Sequence, residues 1–380
     1  MWNSLRTGKK SRSRRSLAKS DYAEPGIFPG SFVMGEKMNL YLPNGFLNVD
    51  ELINAPEPFV FVHGGRGVGK TYGALKAALK HKFIYTRRLQ SELDVINKPE
   101  YMPFKALMAD DPGLHIGINS ISKYNAAFYN QAETEAGWVN AGSPIGYTAA
   151  LSTFANIRGF DASDVDLWIY DEFIPEAHVR PIKEEGKAFL NAYETINRNR
   201  ELKGGKPLKV ICLANSNRLA NPIYVELDLV SVAERMKRRG KNFYRDAKTG
   251  ILMVDPFDSP ISEAKSETAL YKLANRDSDF YNMSIGNVFD DLELSSVSPA
   301  NLKEFKPLVT VGDITIYKHK TSGEYYGSRH RSGNPPVYSP RGTDGARFKR
   351  DYGKLWVKYL ENKLKFEDYA TEALFNVYWD

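Results

Sequence analysis

The chain has 380 residues, of which 42% are hydrophobic and 26% charged, enough apolar material for ordinary buried cores and too much for a wholly disordered or collagenous chain. Its one cysteine, Cys212, excludes an internal disulfide, and no run approaches the roughly 18 apolar residues of a membrane span, so the expectation is a soluble, cytoplasmic protein. Residues 1–20 carry Arg6, Lys9, Lys10, Arg12, Arg14, Arg15 and Lys19 with no acid, against a whole-chain net charge of +6. Residues 1–20 therefore read as disordered, too poor in apolar groups to repay the entropy of ordering and suited to an anionic partner, within a basic flexible arm bounded at 1–40.

From 41 to 255, short apolar runs alternate with helical segments, the pattern of an α/β domain with a mainly parallel sheet. Strands are predicted at Phe59–His63, Phe83–Thr86, His115–Asn119, Tyr147–Thr153, Leu167–Tyr170 and Leu208–Ala214, and helices at Gly69–His81 and Glu184–Asn197. Cys212 lies in one of the apolar runs and is expected to pack as a small hydrophobe. Residues 256–300, with Pro256, Pro260 and a stretch of Ser, Asp and Asn, read as a linker with one or two helices. Beyond it Leu308–Lys318 and Glu324–Arg329 flank the turn Thr321-Ser322-Gly323, and Asp351–Asp380 looks helical, so 301–380 is a small α+β domain.

Gly64-Gly65-Arg66-Gly67-Val68-Gly69-Lys70-Thr71 fits the phosphate-binding loop pattern G-x-x-x-x-G-K-[ST], between an apolar strand and a helix as that loop requires. The glycines let backbone N–H groups close around the phosphates of ATP, Lys70 reaches the β- and γ-phosphate oxygens, and Thr71 offers its hydroxyl to Mg²⁺. The strand Leu167–Tyr170 delivers Asp171, for Mg²⁺, and Glu172, to polarise the attacking water. Asn215, after the strand that contains Cys212, would emerge at the ligand-binding carboxyl edge of such a sheet, able to sense the γ-phosphate or hold the water. Arg87 and Arg88, directly after Phe83–Thr86, fall near the nucleotide by the same geometry.

Two further clusters are basic: Arg235, Lys237, Arg238, Arg239, Lys241 and Arg245, and a second spread over 341–365 with Tyr352, Trp356 and Tyr359 between the charges. Such clusters suit a phosphate backbone, and a solvated helix face looks the same in sequence.

Taken together, Gly64–Thr71 with its internal Arg66, Phe83–Arg88, Ile169–Ile174, Asn197–Arg200 and Ile211–Ser216 resemble, in order and spacing, the DNA-encapsidation ATPases of small short-tailed phages of the phi-29 type. The resemblance implies a P-loop ATPase of the additional-strand, catalytic-glutamate class and a ribonuclease-H-like C-terminal domain. It implies a homo-oligomeric ring, a pentamer in that family, at the portal vertex of an empty capsid in the host cytoplasm. There it would drive double-stranded DNA inward with ATP and Mg²⁺, beside the portal connector and with room for a structural RNA. Arg198 matches the arginine that family offers in trans to the neighbouring subunit's γ-phosphate, and Arg158 a second basic residue acting in trans. Asp313, read in the first strand of the C-terminal hairpin, and Glu324, Asp344 and Asp351 show no convergent spacing, which favours a nucleic-acid or portal-binding module over a nuclease. Two other readings stay open: another P-loop translocase or helicase, and a nucleic-acid-binding capsid-assembly protein that uses ATP only structurally.

Overall fold

The computed structural model describes residues 38–379 except 158, 160, 176–178, 180, 181, 216–218, 220, 275–280 and 282–295. The basic arm up to residue 37, Arg158 and Ser216 lie outside the described residues.

Apolar runs between residues 59 and 254 pair into one sheet of nine strands: β1 (Phe59–Gly64), β2 (Phe83–Arg87), β3 (Ile116–Ser120), β4 (Ala126–Thr134), β5 (Gly137–Ala150), β6 (Leu167–Asp171), β7 (Lys209–Asn215), β8 (Phe243–Asp246) and β9 (Ile251–Val254). Their order is β3-β4-β5-β2-β6-β7-β1-β9-β8. The six strands from β5 to β9 run parallel, while β3–β4, β4–β5 and β8–β9 are antiparallel pairs at the edges. The decisive feature is β7, which lies between β1 and β6 and pairs in parallel with both, so an additional strand separates the glycine-rich loop from the acid pair.

Both faces of the central strands are covered, which is why these strands read as continuous apolar runs. Phe61, Trp168, Tyr170, Val210 and Cys212 point into one core with Phe189, whereas Val60, Val62, Leu167, Ile169, Ile211 and Leu213 point into the other with Leu75 and Ala78. Cys212 is fully buried and its thiol is pushed up by that burial. Helices α1 (Val49–Asn54), α2 (Lys70–Ala78), α3 (Gln90–Ile96), α4 (Lys105–Asp110), α5 (Glu185–Asn197), α6 (Pro222–Glu226) and α7 (Val230–Arg238) connect and flank the strands.

Tyr147–Thr153 proves to be only the end of β5, which begins at Gly137 and forms a long hairpin with β4. Its distal half, from Asn130 to Ser143, is largely exposed and mixes Asn, Gln, Glu, Thr and Gly with Trp138 and Val139, so no continuous apolar run marks it. A 3-10 turn over Leu151–Ile157 follows it.

After β9 come two short helices, α8 (Ile261–Ser266) and α9 (Ala269–Leu273). A second sheet then has the order β13-β10-β11-β12-β14, from β10 (Phe305–Val311), β11 (Ile314–His319), β12 (Tyr325–Ser328), β13 (Val337–Tyr338) and β14 (Leu364–Phe366). The expected single strand Leu308–Lys318 is broken at Gly312, whose φ of 53° turns the chain back on itself and places Asp313 in the turn rather than in a strand. The stretch after Asp351 is likewise not all helix, because β14 intervenes between helices Lys354–Leu360 and Tyr369–Trp379. Tyr369 and Ala370 of the last helix join the core of the large sheet, and Arg329 bonds Asp228 at 3.1 Å, so the two sheets are packed together. No helix among the described residues is long and apolar enough to cross a membrane.

Candidate functional site

Where β1 ends, the chain turns through Gly67 (φ 75°) and Gly69 (φ 88°), left-handed conformations that bulkier residues adopt only with strain. A side chain on Gly69 would also meet the Phe46 ring at 3.0 Å. The turn feeds directly into α2, whose first residues are Lys70 and Thr71, so unpaired N–H groups of the helix start face the loop. Lys70 is buried, and its ammonium donates to the carbonyls of Gly64 (2.9 Å) and Gly65 (2.8 Å) and lies 3.4 Å from Asn215 Oδ1. All three are uncharged oxygens. Burial, helped by Lys265 and Arg66 and opposed by Asp171 and Glu172, lowers this amine to about 7. A buried cation ringed by neutral acceptors at a helix start is a site shaped for phosphate.

The strand order brings the acid pair beside it. Thr71 Oγ1 donates to Asp171, 3.1 and 3.2 Å from its two oxygens, which places side by side a hydroxyl and a carboxylate that could hold a hard cation. Asp171 also accepts from the Tyr85 hydroxyl at 2.7 Å and from Arg87 Nη1 at 3.2 Å. Arg87 Nη2 reaches Glu172 Oε2 at 2.6 Å, so one guanidinium spans both acids instead of pointing at the loop. Glu172 has φ 54°, a left-handed conformation for a non-glycine residue, which costs about 1–2 kcal/mol and turns its carboxylate out of the strand. With Asn215, Arg88 and Glu92 it lines a cleft next to the loop.

Arg88 points to the other face. It forms a two-pronged pair with Glu185 at 2.6 and 2.8 Å, reinforced by the Tyr170 hydroxyl at 3.4 Å and the Ile182 amide at 3.1 Å. Glu185 is the first residue of α5, so this pair ties the helix start to the carboxyl edge of the sheet. The far end of α5 is held at the opposite edge: Asn197 Oδ1 accepts from the Leu208 amide just before β7, and Arg200 Nη1 donates to Val165 O just before β6. Arg198 caps this far end with φ 48°, is exposed, and bonds Asp161 at 3.0 Å. The 13 residues of α5 span roughly 20 Å, which sets Arg198 well away from its own glycine-rich loop. Arg200, by contrast, also donates to the carbonyls of Ile196 and Asn197 and closes the helix end.

Sequence reasoning missed Tyr85, Glu185 and Lys265. Tyr85 was visible only as an apolar strand residue, although alternation along β2 puts it on the face of α2. The basic stretches also look different in three dimensions. Arg245 is paired with Glu57 (2.8 Å), Lys237 with Asp255 (3.6 Å) and Arg238 with Glu234 (2.6 Å). Tyr352, Trp356 and Tyr359 are half-buried and pack against the C-terminal core, Trp356 lying 5.7 Å from Trp379 and 6.2 Å from Phe375. Asp313, Glu324, Asp344 and Asp351 engage separate partners, namely Arg331, Ser322, the Ser339 amide and Tyr338. Among the described residues no cluster of three or more His, Cys, Asp or Glu side chains is set to hold a metal ion.

A family model described as the podovirus DNA encapsidation protein (Gp16) matches residues 36–294. The DNA packaging proteins of Bacillus phages PZA and phi29 are each 27% identical over 262 residues, covering 67% of this chain and 67% of each relative. A solved structure of the Phi-28 gp11 DNA packaging motor superposes with a TM-score of 0.60 at 20% identity, over 88% of this chain and 98% of that one, and so shares its fold.

Proposed function

This chain belongs to the podovirus DNA encapsidation protein family, and from that premise we propose that it packages phage DNA by hydrolysing ATP at the Gly64–Thr71 loop, as one subunit of a ring. The observation that carries the hydrolytic reading is the convergence of Lys70, Thr71, Asp171 and Glu172 across β1, β7 and β6. The residues fit ATP and Mg²⁺: among the described residues Lys70 donates to neutral carbonyl and amide oxygens and can accept an anion, while Thr71 and Asp171, already hydrogen-bonded, would together hold a hard cation. When bound, the metal neutralises charge on the phosphates.

Lys70 and the helix start hold the β- and γ-phosphates. Glu172 orients a water and takes its proton, from the cleft it shares with Asn215. Arg87, bound to both acids, keeps Glu172 fixed until hydrolysis requires it elsewhere, which makes it a positioning residue. Asn215, close to Lys70, reports on the γ-phosphate. Arg198 stands too far from its own loop to act there and is exposed at a corner where a neighbouring subunit's nucleotide can be met. Such an arginine stabilises transition-state charge only when the neighbour is correctly placed, so subunits fire in turn.

In this reading 41–255 is the ATPase unit, 256–300 the joining segment and 301–380 a portal- or nucleic-acid-binding unit. The partners are double-stranded DNA and the capsid portal, and the working position is the portal vertex. The test is ATP-dependent protection of DNA from nuclease by purified protein and portal-bearing capsids. Protection that is independent of ATP, or absent while ATP is turned over, would overturn the reading.

A further inference from the structure

The segment that joins the two sheets does not simply pass by the phosphate loop. Its helix α8 lies 199 residues downstream of Arg66, yet the Lys265 ammonium donates to the Arg66 carbonyl. A Cβ built on Gly67 would lie 3.3 Å from Lys265 Cε and 3.5 Å from its Nζ, so the side chain rests directly against the loop. The ammonium also sits 4.7 Å from the centroid of the Tyr271 ring, on α9, which braces it from the other side.

A second route joins the same parts. The Ser259 hydroxyl donates to Gly45 O at 3.2 Å, and a Cβ on Gly45 would lie 3.2 Å from both Pro260 and the Ile261 amide. One step further, Phe46 packs on Gly69 and the Leu47 amide donates to Val68 O at 2.9 Å. The start of the joining segment is thus keyed to the loop through the 42–46 turn as well as through Lys265.

Three cations, Lys70, Arg66 and Lys265, are therefore gathered around one short loop. A concentration of positive charge at one loop favours a polyanion over a ligand with fewer charges. We propose that Lys265 is a phosphate-loop residue supplied by the joining segment, whose charge strengthens binding of a nucleoside triphosphate and thereby couples nucleotide occupancy to the position of that segment. The proposal rests on the ATP-binding reading above and adds a residue and a route to it. Coupling follows by linkage: if the placement of α8 raises affinity for the triphosphate, the triphosphate must equally hold α8 in place.

The experiment is equilibrium binding of Mg-ATP and of AMP to wild type, Lys265→Met, Lys265→Arg and Lys70→Ala. Lys265→Met keeps an apolar stem against Tyr271 while removing the charge. ATP affinity is expected to fall about tenfold in Lys265→Met, as for loss of a charged contact, with AMP affinity nearly unmoved and Lys265→Arg close to wild type. Unchanged ATP affinity in Lys265→Met, or equal losses for ATP and AMP, would overturn the proposal while wild-type binding left the functional reading standing. A wild type that binds no ATP, with Lys70→Ala indistinguishable from it, would overturn both.

Discussion

Arg88 and Glu185 meet in two hydrogen bonds of 2.6 and 2.8 Å with their side chains only 3% and 0% exposed, joining the end of β2 to the start of α5. Removing one partner strands the other charge in the interior. Arg88→Met or Glu185→Gln is therefore expected to lower unfolding free energy by about 3–5 kcal/mol, measured by guanidinium titration. A change within about 0.5 kcal/mol would mean that water reaches the pair on demand.

The Lys70 amine makes a pH signature. Burial depresses it from 10.5 to about 7 in the nucleotide-free protein, so between those values the unfolded chain binds more protons than the native one. Its contribution to stability accordingly rises with pH through that window. Phosphates restore the charged form, and binding of ATP near pH 8 should take up a proton. Calorimetry in buffers of different ionisation enthalpy measures this uptake, and Lys70→Ala should abolish it together with ATPase activity.

Glu172→Gln should still bind ATP and hydrolyse it at least ~100-fold more slowly, as when a general base is lost from an intact site. Single-turnover assays separate the two steps. Normal turnover per bound nucleotide would assign Glu172 a purely structural partnership with Arg87.

Arg198 is tested by complementation. Subunits with Arg198→Ala keep an intact loop and Glu172, and subunits with Glu172→Gln keep Arg198. Mixed assemblies on DNA or portal should recover part of the hydrolysis that neither variant shows alone. An arginine acting in trans is worth about 10³–10⁵ in rate, so even a few repaired interfaces would stand above background. No recovery in a verified mixed assembly would place Arg198 in a structural role with Asp161.

The loop Gly64–Thr71 and the acids Asp171 and Glu172 were legible in the sequence because their chemistry is local. A left-handed turn favours glycine, a phosphate loop places a lysine at a helix start, and two acids at the close of an apolar run stand out from it. The same locality made the central strands readable, since burial on both faces leaves an uninterrupted apolar run. The additional strand was implied only by the family resemblance, and the edge positions of Asn215 and Arg87 only as neighbourhoods; their individual partners were not legible. Inserting β7 between β1 and β6 sets Asn215 against Lys70, and pairing β2 with β6 lays Tyr85 and Arg87 on Asp171. The length and anchoring of α5 put Arg198 at the far edge, and the return of α8 brings Lys265 to Arg66 across 199 residues. Residue spacing along the chain carries no record of these contacts, because sheet order and helix docking are settled by the burial of whole faces, and individual charged side chains take the partners that packing then leaves within reach.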